Sequence, residues 1–95
     1  MAERLSPEKA REMAKSLPRW TQKDGSLERD FELGDFDHAV AFVNRVADLA
    51  KREDHHPDIH VSYDKVRLEL STHKVGGLTD RDFDLARKID ALPVR

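Results

Sequence analysis

A helical pattern and a strand pattern meet at one proline. From Phe36 to about Glu53 the apolar residues Phe36, Ala39, Val40, Val43, Val46, Ala47 and Ala50 recur on one helical stripe. From Ile59 onward, Ile59, Val61 and Tyr63 alternate with His60 and Ser62, which is the period of a strand. Between the two patterns lies Asp54-His55-His56-Pro57. Proline has no N–H to give a helix and its ring clashes with the preceding turn, so the helix must stop here. The junction therefore presents a histidine doublet.

The rest of the chain arranges itself around that junction. Ser6-Pro7-Glu8 reads as an N-cap, a first-turn proline and an acid at the positive helix end. Ala10, Met13, Ala14 and Leu17 continue at helical spacing until Pro18 closes the helix. Arg19 to Gln22 is a short strand, Asp24-Gly25 a hairpin turn, and Leu27 to Leu33 its partner, with Leu27, Phe31 and Leu33 on one face. Asp35 caps the central helix. After the Ile59–Tyr63 strand, Asp64-Lys65 turns the chain into a second strand in which Val66, Leu68 and Leu70 alternate with Arg67, Glu69 and Ser71. Gly76-Gly77 breaks it. Thr79 caps a last helix with Phe83, Ala86 and Ile89 inward, ended by Pro93.

The predicted order is α-β-β-α-β-β-α. Alternating strands have one covered and one polar face. The expected fold is α+β: a single domain over 1–95 with a four-stranded antiparallel sheet and helices packed on one face.

The composition excludes several function classes. At 95 residues the core is modest, and oligomerisation adds buried surface to such a chain. A homodimer or homotetramer is expected, joined through an edge strand such as Arg19 to Gln22 or the apolar remainder of a helix. Charged residues make up 38% with a net charge of −2, which argues against direct nucleic-acid binding. There is no cysteine, so no disulfide or thiolate chemistry. No apolar run spans a membrane and no signal-peptide pattern opens the chain, so a cytoplasmic protein is expected.

Histidine titrates closest to neutral pH, and a third one, His73, lies beyond the hairpin that follows the doublet. A hairpin brings its two ends together, so His55, His56 and His73 can converge and move protons. His56 and His60 stand four apart, as zinc-binding histidines on a helix do, but Pro57 lies between them and no helix carries both. No metal site follows. No serine has a nucleophile-elbow glycine pattern, which argues against a hydrolase triad.

A spaced pattern runs through this tract: Lys51, then His55-His56-Pro57, Tyr63, His73 and Asp82. With Tyr63-Asp64-Lys65-Val66, Ser71-Thr72-His73 and Gly77-Leu78-Thr79, and upstream Leu17-Pro18 to Trp20 and Phe36 to Ala47, it resembles the pterin-4a-carbinolamine dehydratase family from Leu5 to Ile89. The resemblance implies a hydro-lyase that removes water from 4a-hydroxytetrahydrobiopterin without metal or redox cofactor. It would act in tetrahydrobiopterin recycling, linked to an aromatic amino acid hydroxylase. It implies catalysis by the residues at His55, His56 and His73: the first and last as proton donors to the departing hydroxyl, His56 binding and orienting the pterin. The same resemblance brings a rival, a non-catalytic protein-binding or assembly module on the same fold. Keeping all three histidines favours the enzyme.

The supporting positions have plainer readings. Thr79 to Asp82 has capping-box spacing, while the family pattern lets Asp82 orient a histidine, and both can hold. Lys51 suits the last turn of a helix as a simple cation. Tyr63 can simply pack at a strand end. Pro57 and Trp20 read as architectural, with Trp20 also able to line the pterin pocket. His38 and His60 read as ordinary surface residues.

Overall fold

The computed structural model describes residues 3–95. Three α-helices, α1 (Pro7–Ala14), α2 (Phe36–Glu53) and α3 (Asp80–Asp90), accompany four strands, β1 (Thr21–Lys23), β2 (Ser26–Glu32), β3 (Asp58–Ser62) and β4 (Lys65–Leu70), with a short 3-10 turn at His73–Val75. The helix and strand order is the one the periodicities predict. The sheet runs β1-β2-β4-β3, antiparallel throughout.

All three predicted caps form. Ser6, Asp35 and Thr79 each accept a backbone N–H from the first turn of the helix they precede. The boundaries differ where tertiary contacts override local pattern. α1 stops at Ala14, before Pro18, and Ser16 and Leu17 continue as tight turns bonded to Met13 and Ala14. β1 is shifted to Thr21–Lys23 because Trp20 turns into the core. The β3–β4 turn is Tyr63-Asp64, one residue earlier than expected, with Tyr63 in the left-handed region at φ 55°.

Leu27, Phe31, Val66, Leu68 and Leu70 face the helices from the sheet. α2 meets them with Ala39, Phe42, Val46, Leu49 and Ala50. This corrects the expected stripe: Ala39, Val46 and Ala50 are inward, but Phe36 is 50% and Val40 38% exposed. α2 carries two adjacent apolar arcs, and Phe42, packed 4.5 Å from the Phe31 ring, fixes which one docks. The opposite sheet face is polar. Arg67 there bonds Asp30 at 2.9 Å and lies 3.5 Å from Glu28, which Lys23 also meets at 3.1 Å.

Candidate active site

α2 ends in a Schellman-type turn. Asp54 adopts φ 51°, and the His55 N–H bonds back to the Ala50 carbonyl at 3.2 Å. The chain then leaves through His56 and Pro57 into β3. Asp58 pairs with Glu69 across the hairpin, so the segment entering β3 and the segment leaving β4 emerge at the same end. The hairpin therefore sets His55 and His56 beside Ser71, Thr72 and His73.

The His55 ring is nearly enclosed, with its side chain 10% exposed. Its Nε2 lies 2.6 Å from Oδ1 of Asp82, which is wholly buried. Asp82 Oδ2 accepts the Thr79 N–H and the Thr72 hydroxyl, each at 2.9 Å. Thr72 has thereby committed its hydrogen, so the 2.8 Å contact between the two threonine hydroxyls is a donation from Thr79 to Thr72. Arg81 N–H in turn donates to Thr79 Oγ1 at 3.2 Å. Every donor direction in the cluster is fixed, and all bonds into Asp82 suit a carboxylate. His55 Nε2 must then carry hydrogen, which leaves Nδ1 as the ring atom available to a ligand.

Asp82 thus fills both readings of its position. As the third residue of α3 it closes the capping box, and through its other oxygen it holds His55. By way of Thr72 it also ties down the residue immediately before His73. His73 opens a short loop closed at its base by Thr72 and Gly77, with Thr72 N–H bonding the Gly77 carbonyl at 2.9 Å. Gly76 turns this loop at φ 65°, a conformation that favours glycine. His56 and His73 are exposed, and among the described residues neither ring has a protein hydrogen-bond partner.

The other predicted positions are distributed more widely. Lys51 is exposed on the last turn of α2, one turn before His55. Pro57 is half-buried at the start of β3. Tyr63 stands 70% exposed at the hairpin tip, the far end of β3 from Pro57. Trp20 is buried, its Nε1–H bonded to Asp90 at 2.8 Å. Asp90 lies eight residues beyond Asp82 on α3, about 12 Å along the helix axis. Trp20 therefore occupies the core near the other end of α3. His38 pairs with the cap residue Asp35, and His60 faces the open sheet surface opposite Arg67. A concavity of about 530 Å³ on that surface is lined by His60, Lys65 and Arg67, among others, and by none of the three candidate histidines.

Thr72 and Arg81 are site residues that sequence reasoning missed. Thr72 carried a signal, since it sits beside His73. Arg81 carried none: nothing local reveals that it reaches Glu53 and Asp54.

Among the described residues no group of three His, Cys, Asp or Glu side chains is placed to hold a metal ion, and no helix is long and apolar enough to cross a membrane.

Residues 3–92 match the family model described as pterin 4 alpha carbinolamine dehydratase. A relative in Acidobacterium capsulatum, provisionally named pterin-4-alpha-carbinolamine dehydratase, is 51% identical over 93% of this chain and 96% of its own length. A similarly named relative in Thermosynechococcus vestitus is 46% identical over 99% of both chains. The crystal structure of a transcriptional coactivator/pterin dehydratase from Brucella melitensis superposes with a TM-score of 0.87 and 32% identity, covering 94% of this chain and 97% of that one. A pterin dehydratase-like protein identified as a RuBisCO assembly factor of the alpha-carboxysome shares the fold, with a TM-score of 0.61 and 24% identity over 77% of this chain and 84% of its own.

Proposed function

This chain belongs to the pterin 4 alpha carbinolamine dehydratase family, a family of hydro-lyases, and from that premise we propose that it converts 4a-hydroxytetrahydrobiopterin to quinonoid dihydrobiopterin and water. The substrate carries a hydroxyl on C4a and a hydrogen on the adjacent N5. Dehydration breaks the C4a–O bond, releases the N5 proton and forms a C4a–N5 double bond. Hydroxide leaves poorly near neutral pH. A positioned acid that protonates it, with a base for the N5 proton, accelerates such a step by about 10²–10⁴-fold.

The observation that carries this reading is the His55–Asp82 pair, with its carboxylate buried and both oxygens occupied. A proton fixed on Nε2 leaves Nδ1 to donate when the ring is charged and to accept when it is neutral. His55 and His73 are the proton-transfer residues in this proposal, donating to the departing hydroxyl, while the N5 proton passes to solvent water and His56 binds and orients the pterin. Lys51 and Pro57 border the same junction. The protein acts in the cytoplasm in tetrahydrobiopterin recycling, alongside an aromatic amino acid hydroxylase.

The proposed assembly is a homo-oligomer. Phe36 and Val40 are exposed on α2 with half-buried Val43 and Ala47 beside them, an apolar stripe that a second copy can bury. A binding or assembly role on the same fold is the alternative, and that stripe serves it equally. The two readings separate in one experiment. Purified protein with chelator present is expected to accelerate dehydration of chemically generated carbinolamine. Folded protein that leaves the spontaneous rate unchanged sinks the enzyme and favours the binding module.

A further inference from the structure

Arg81 stands in the first turn of α3, at the positive end of that helix, where a cation is disfavoured. Its destination explains the placement. One guanidinium nitrogen, Nη2, donates to the Glu53 carbonyl at 3.1 Å and the Asp54 carbonyl at 2.5 Å. These belong to the last turn and cap of α2, whose carbonyls lack helical partners and form the negative end of its dipole. The next residue in the chain is His55. The next residue after Arg81 is Asp82, which holds the His55 ring.

Two neighbouring side chains of α3 therefore grip three consecutive residues: Arg81 the carbonyls of Glu53 and Asp54, Asp82 the imidazole of His55. A ring held only through Nε2 can still swing about that bond and carry Nδ1 away. The backbone needs holding too, because Asp54 sits in the left-handed region without being glycine. We propose that Arg81 is a positioning residue for His55, fixing the backbone from which the imidazole reaches both Asp82 and the substrate. The inference rests on His55 being a proton-transfer residue.

The test compares Arg81→Ala, Arg81→Lys and Lys88→Ala with wild type. Lys88 supplies a separate tie between the same helices, an ion pair with the Glu53 side chain, and so controls for general helix docking. Two quantities are read: steady-state dehydration kinetics, and the His55 ring by nitrogen-15 NMR, which reports tautomer and Nε2–H exchange without substrate. Arg81→Ala is expected to lower kcat by about tenfold to a hundredfold with KM held within about twofold. It should also replace the single Nε2–H tautomer by a faster-exchanging mixture. Arg81→Lys, which keeps the charge on a shorter, more flexible stem, is expected to fall between. Lys88→Ala is expected to match wild type in both. Folded Arg81→Ala with wild-type kcat and a wild-type ring signal overturns the proposal, and so does an equal loss in Lys88→Ala. If Arg81→Ala does not fold, Arg81→Met, which keeps the stem without a donor, decides: reduced kcat with an altered ring signal supports positioning, and wild-type values overturn it. Inactive wild-type protein would instead sink the dehydratase reading, while the ring signals would still report whether Arg81 holds His55.

Discussion

His55 and Thr72 bind opposite oxygens of one buried carboxylate, at 2.6 and 2.9 Å, so the two segments that carry His55 and His73 share a single anchor in Asp82.

Asp82→Asn tests that anchor. An amide cannot accept on both sides. If its NH2 faces His55, the ring must accept at Nε2 and move its proton to Nδ1. If it faces the other way, it meets the Thr79 N–H and the Thr72 hydroxyl. Turnover is expected to fall by about 10²-fold or more, as when a histidine is left in the wrong tautomer. Stability should fall by about 2 kcal/mol with the loss of charge-assisted bonds. Wild-type kcat in the asparagine variant would remove Asp82 from the mechanism.

His55→Ala and His73→Ala are each expected to reduce kcat by about 10²-fold or more. His56→Ala should raise KM more than it lowers kcat, since its proposed role is binding. His60→Ala should change neither, because His60 faces the open side of the sheet. Steady-state kinetics of the four variants settle the assignment, and a His60 effect as large as that of His73 would put catalysis on the wrong face.

Trp20→Phe separates core from pocket. Phenylalanine keeps most of the buried ring but cannot donate to Asp90, which Arg29 also contacts. A loss of about 1–2 kcal/mol in denaturant unfolding is expected, with KM unchanged. A raised KM at full stability would return Trp20 to the pterin pocket.

The N-cap of α2 predicts a pH dependence. The His38 backbone N–H bonded to Asp35, and then the His38 ring at 2.7 Å, hold the Asp35 carboxyl below its ordinary value of 3.8. A depressed carboxyl pKa stabilises the fold above the unfolded value and loses that effect as pH falls through the folded one. Asp35→Ala should therefore melt a few degrees below wild type near neutral pH. The difference should narrow as the solution is acidified below about pH 4. A gap that stays constant from neutral to strongly acidic pH would contradict an ionised cap.

Val40→Glu places a charge on the outward stripe of α2. Wild-type protein is expected to sediment as a homo-oligomer, and the variant as a smaller species. A wild-type sedimentation mass of 10.9 kDa at micromolar concentration would contradict the assembly. His55, Asp82 and Thr72 meet within one chain and His73 directly follows Thr72, so mixing His55→Ala with His73→Ala subunits should restore no activity. Recovery would mean a site shared between subunits.

Much of this was legible in the sequence because the determinants are local. Ser6, Asp35 and Thr79 announce their helices, and the shift of period across Pro57 marks the junction. The docked face of α2 was not legible. Its two apolar arcs look alike until Phe42 meets Phe31 from β2. β1 moved because Trp20 answers to Asp90, seventy residues away. The histidines were visible through family resemblance, and Asp82 through both that pattern and its cap spacing. Arg81 was invisible for the same reason as the Trp20 contact: its partners are backbone carbonyls distant in sequence.

The double duty of Asp82 bears on descent. Folding alone favours an acid at the third position of α3, where it closes the capping box. A descendant released from the chemistry can shed His55 and His73 and still be held to that acid. Inheritance of the carboxylate is then no mark of an enzyme. A lineage that keeps the acid but not the ring has changed occupation without changing architecture.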